Sequence, residues 1–102
     1  MHWTDIENAL CARVEDVCRH LFPAGKRDGA EYVVGSLAGE AGHSLKINLG
    51  GKPGVWKDFA GDSGGKTLLS LWLHARQLSK FGLAVVEAKQ WLGIVDTDFP
   101  QN

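Results

Sequence analysis

Cysteine is scarce in this chain, and the scarcity excludes more than it permits. Only Cys11 and Cys18 occur among the 102 residues. They fall seven apart in a helical pattern, which sets their Cα atoms about 10 Å from each other at ~1.5 Å rise per residue, beyond disulfide reach. No C-x-x-C is present, and the four histidines (His2, His20, His43, His74) show no ligand spacing. Cys18 and His20 are two donors at most, too few for a closed zinc site. The cysteines therefore read as buried thiols and the histidines as surface imidazoles.

Excess charge is also missing. Twelve acidic residues against eleven basic ones leave a net charge of −1, so a nucleic-acid role would have to come from local clustering rather than from the bulk field. No apolar run approaches the roughly 18 residues of a membrane span, so no membrane partner is expected. The first residues, Met1-His2-Trp3-Thr4-Asp5, lack the basic and apolar regions of a secretory signal, and a cytoplasmic location is the expectation. The length suits one domain with a small core, here residues 1–95, and the polar, proline-bearing residues 96–102 read as a tail or linker.

What the chain does carry is clear periodicity. Thr4 with Glu7 forms a capping-box pattern. Ile6, Leu10, Val14, Val17, Cys18 and Leu21 then predict one amphipathic helix that Pro23 ends. Lys26-Arg27-Asp28-Gly29 reads as a polar turn. Residues 31–37, 44–49 and 55–60 predict three strands of a small antiparallel meander, joined by glycine-rich loops. Ser63 or Thr67 can cap a helix to about Arg76 with Leu68, Leu69, Trp72 and Leu73 inward. Ser79 can cap another helix in which Phe81, Ala84, Val85, Ala88 and Leu92 share a face and which stops at Gly93. The expected fold is α+β: a three-stranded antiparallel sheet flanked by one N-terminal and two C-terminal helices.

The strand 55–60, the turn Gly61-Asp62-Ser63-Gly64-Gly65 and the helix start Lys66-Thr67 form the most informative stretch. Such turns commonly present backbone N–H groups to an anion. Gly65-Lys66-Thr67 matches the closing triad of a phosphate loop, but Ala60 stands where that loop needs its first glycine. A chain this short also has no room for the parallel core of an ATPase. Asp58, Asp62 and Glu40 read as turn-forming or solvated carboxylates rather than as a magnesium site.

In order, Tyr32-Val33, Ser44-Leu45-Lys46-Ile47, Val55-Trp56-Lys57-Asp58-Phe59, Gly64-Gly65, the apolar run 68–72, Leu78-Ser79-Lys80-Phe81 and Trp91-Leu92-Gly93 follow a recognisable succession. It resembles the N-terminal zinc-ribbon domain of bacterial and phage DNA primases and primase-helicases, over residues 32–93. The family's four zinc ligands have no counterparts, because residues near Gly35 and Ala38 and at Asp58 and Gly61 occupy their places. The resemblance thus implies a ribbon without its metal, held by packing, with Trp56, Trp72 and Trp91 as the replacements. No metal or other cofactor is expected.

The resemblance further implies a non-catalytic module that engages single-stranded template DNA beside a primase or helicase catalytic domain, of phage or plasmid type, in DNA replication. Lys46, Lys52, Lys57 and Lys66, with Trp56 to stack a base, are the candidate nucleic-acid contacts. The rival expectation is a solvated strand face with Trp56 in the core. Its functional counterpart is a protein-interaction module, an adaptor or inhibitor derived from such a domain.

Overall fold

The computed structural model describes residues 2–94. Two helices, α1 (Trp3–Cys11) and α2 (Val14–Leu21), lead into strands β1 (Lys26–Asp28), β2 (Glu31–Val34), β3 (Leu45–Asn48), β4 (Trp56–Asp58) and β5 (Gly64–Gly65). Helices α3 (Leu68–Ala75) and α4 (Phe81–Leu92) follow. The five strands form one antiparallel meander in chain order. The α+β class and the open antiparallel sheet agree with expectation, whereas the counts do not: the sheet has five strands rather than three, and the described residues hold four helices rather than three. The expected tail, 96–102, lies outside the described residues.

Both additional strands lack apolar side chains, so hydrophobic patterning does not reveal them. β1 exists because its main chain pairs with β2, with Lys26 opposite Val33 and Asp28 opposite Glu31. The two-residue loop Gly29-Ala30 closes that hairpin with Gly29 at φ +61, the conformation such loops require. The polar turn is therefore a strand and its turn together. β5 pairs Gly65 with Trp56. A Cβ on Gly65 would lie 2.4 Å from Ser70 Oγ and 2.7 Å from Trp56 Nε1, so only glycine fits there.

The N-terminal stripe is also two helices, not one. Arg13 leaves the helical region at φ −126, ψ 38, and α2 restarts at Val14. Straight, the whole segment would extend about 28 Å at ~1.5 Å per residue. The break lets Ile6 and Leu10 from one half and Val17 and Cys18 from the other enter the same core. It also lays the Arg13 guanidinium over Trp91, 4.4 Å from the ring centroid. The capping box at the start of α1 is made by other residues than expected. Thr4 N–H donates to His2 Nδ1 and His2 N–H donates to the Asp5 carboxylate, which leaves Glu7 free to point inward.

Helices cover one face of the sheet. Tyr32, Val34, Leu45, Ile47 and Trp56 project into a core shared with all four helices, where Leu68, Leu69, Leu71 and Trp72 of α3 are fully or almost fully buried. Each such side chain contributes about 1.5–3 kcal/mol. Arg27 of β1 also faces the helices, donating to Glu15 of α2 at 2.7 Å. α3 ends through Gln77 at φ +54, with Leu78 N–H bonded to Leu73 C=O, and α4 ends at Gly93 in the left-handed region, as expected. Lys80 rather than Ser79 precedes α4, with no side-chain cap. Among the described residues no helix is long and apolar enough to cross a membrane.

Candidate nucleic-acid interface

Strand alternation decides what the uncovered face of the sheet presents. Adjacent residues point to opposite sides, so Trp56 and Lys57 cannot share a face. The structure places Trp56 inward, 2 % exposed and opposite Ile47, with its indole N–H donating to Ser70 Oγ at 2.9 Å. The stacking role expected of Trp56 is thereby overturned: its ring is core. Lys57 and Phe59 lie two residues apart and share the outer face. Phe59 is 63 % exposed, more than any other large hydrophobic described. Its N–H donates to Ser44 C=O at 2.6 Å, which extends the β3–β4 pairing past the strand end.

Lys46 sits directly opposite Lys57. Their ammonium groups lie 5.6 and 5.4 Å from the centroid of the Phe59 ring. Among the described residues no carboxylate comes within ion-pair distance of either lysine. Like charges placed directly across a strand pair are unfavourable, and the ring face offsets only part of that. A shallow depression of about 180 Å³ opens beside them, with Glu31, Asn48 and Val55 on its other side.

The remaining expected contacts lie elsewhere. Lys52 is in the β3–β4 loop and Lys66 follows β5; both are exposed. The antiparallel order sets both at the Val55 end of β4, away from Phe59. The structure thus brings Lys46 and Lys57 together, separates Lys52 and Lys66 from them, and sets Phe59 rather than Trp56 beside the pair. Strict period-two reading of 55–60 would have found Phe59, since it shares parity with Lys57.

The glycine turn does not offer a free anion site. The N–H groups of Leu68 and Leu69, in the first turn of α3, donate to the Glu7 carboxylate at 2.7 and 2.9 Å. Ser70 N–H donates to Thr67 Oγ1 at 3.1 Å. The helix N-terminus that would receive a phosphate already holds a carboxylate from α1, buried at 8 % exposure. Cys11 Sγ donates to the same carboxylate at 3.2 Å. Burial, and then the hydrogen bond and charge of Glu7, push the Cys11 thiol up to about 12, so it stays protonated and unreactive at neutral pH.

At the positions that the resemblance sets against zinc ligands, the residues serve turns. The Asp58 carboxylate accepts from Ala60 N–H at 3.0 Å, and Gly35 N–H donates to Glu40 C=O at 2.7 Å. Among the described residues no three His, Cys, Asp or Glu side chains converge as a metal-binding group. No protein-family model matches this chain, and neither a curated protein nor a solved structure does.

Proposed function

We propose that this domain grips single-stranded DNA on the open face of its sheet, as a non-catalytic, template-engaging module of a primase or primase-helicase. The observation that carries the reading is the exposed Phe59 ring, flanked by two lysines that have no carboxylate within ion-pair distance among the described residues. Such a lysine pair favours an anion, and an exposed ring beside it offers a base a face on which to stack. The combination is sequence-tolerant, since every base has a π-face and every nucleotide a phosphate. The association with a primase rests on the order of sequence motifs from Tyr32 to Gly93.

The test is anisotropy of a labelled oligothymidylate titrated with the protein at several salt concentrations. Affinity should fall steeply with salt, and Phe59→Ala should weaken it by about 1–3 kcal/mol, the usual worth of one stacked base. Far-UV circular dichroism should be unchanged in the variant. Absence of binding at low salt would refute the reading. A second reading, a protein-interaction module derived from such a domain, is favoured by one feature. Trp3, Phe81, Leu83 and Val86 expose apolar surface on α1 and α4, at 38–51 % exposure. On that reading the domain shows no salt-dependent affinity for oligonucleotides.

A further inference from the structure

The outward residues of the sheet fall into rows that cross the strands. One row runs Lys26, Val33, Lys46, Lys57, each directly opposite the next. Lys26 belongs to it because its neighbour Arg27 faces the helices and bonds Glu15. Val33, though 3 % exposed, is absent from the core cluster that holds Tyr32 and Val34. A second row, Asp28, Glu31 and Asn48, lies two residues along the strands on one side. Ser44 and Phe59 lie on the other side. The face is therefore polarised: acid, then lysine, then aromatic.

We propose that Lys26, Lys46 and Lys57 form a track for about three phosphates, crossing the strands from β1 to β4, with the bases turned toward Phe59. The proposal rests on the reading of this face as a single-stranded DNA site, and adds Lys26, the footprint and the direction. Three strand spacings of ~4.8 Å make the track about 14 Å long. Like Lys46 and Lys57, Lys26 is exposed or half-exposed and has no carboxylate within ion-pair distance among the described residues. Val33 lies in the row at β2 but is 3 % exposed, so the contacts of the track come from the lysines on either side of it. The acidic row is ~7 Å away along the strands, inside the Debye length of ~8 Å at physiological salt. It repels a backbone that strays toward it, so the strand is held on the Phe59 side.

The test uses the whole chain with labelled oligothymidylates of about two to about eight residues, over about 50 to about 200 mM salt. Affinity should climb up to about four residues, to cover three phosphates and one stacked base, and then rise only by the statistical factor. The log–log salt slope should be near −2, from about −0.7 per phosphate on a single strand. Lys26→Ala should make that slope shallower by about 0.7, with the thermal midpoint unchanged. The double change Asp28→Asn with Glu31→Gln should raise affinity several-fold at low salt, and Lys80→Ala should do nothing. If Lys57→Ala lowers the slope while Lys26→Ala does not, the track is overturned and the Phe59 site remains. If the unaltered chain binds no oligonucleotide, both fall together.

Discussion

Replacing Glu7 should damage the fold more than replacing any surface carboxylate. The Glu7 side chain accepts two hydrogen bonds from the first turn of α3 and one from the Cys11 thiol, inside the protein. In Glu7→Ala the Leu68 and Leu69 N–H groups lose their acceptor while the residues around them stay buried. Each buried, unsatisfied donor costs about 1–3 kcal/mol. Loss of a negative charge at the positive end of the helix adds about 0.3–1 kcal/mol, and up to ~2 in a partly buried setting. Allowing for partial relaxation, the expected destabilisation is about 3–5 kcal/mol, a large share of the ~5–15 kcal/mol that holds a domain of this size. Glu7→Gln keeps one oxygen but turns an NH₂ toward a donor, and should cost roughly half as much. Urea unfolding followed by far-UV circular dichroism and tryptophan fluorescence measures both. The Cys11 thiol supplies a second readout. Glu7 contributes to its elevated pKa after burial does, so Glu7→Gln should bring the thiol pKa down and speed its alkylation at mildly alkaline pH. A Glu7→Ala midpoint that matches the unaltered chain within ~0.5 kcal/mol would refute this account of the α3 N-terminus.

Trp56→Ala should cost about 3–5 kcal/mol, as a large buried aromatic does, whereas Phe59→Ala should leave the urea midpoint within ~0.5 kcal/mol; the reverse order would show that the two faces are misassigned. Gly65→Ala should be destabilising and should disturb the Trp56 emission, because the new Cβ meets Ser70 Oγ and the indole nitrogen; an unchanged midpoint and spectrum would contradict it. On the acid side, the Arg76 guanidinium and then the Trp72 N–H hold Glu87 below its ordinary value of 4.5. A lowered folded pKa stabilises the fold above the unfolded value and loses that contribution as pH falls through the folded one. Stability should thus decline below about pH 4.5, and Glu87→Gln should flatten part of that decline; equal slopes in the two proteins would exclude Glu87 as a source.

Much of the fold is decided by the sequence alone, wherever the signal is local. Side chains three and four apart mark the buried faces of α1 to α3 and, apart from the exposed Phe81, of α4, since a helix face is written within one or two turns. Gly93 marks the end of α4 because a left-handed residue there is cheapest as glycine. Alternation marks β2, β3 and β4, and it also implies that Trp56 and Lys57 part company across the sheet, although pairing the tryptophan with the lysines on one face ignores that rule. The rest needed tertiary structure. β1 and β5 carry no apolar side chains, so only pairing with a neighbour makes them strands. The break at Arg13 has no glycine or proline behind it; it arises because both halves of the segment must reach one core. The glycine turn looks like an anion site in the sequence, yet the donors of the helix start it leads into are filled by Glu7, 61 and 62 residues away along the chain. Lys26 joins Lys46 and Lys57 only through strand register. Contacts of that kind depend on which distant segments meet, and periodicity within a segment is blind to them.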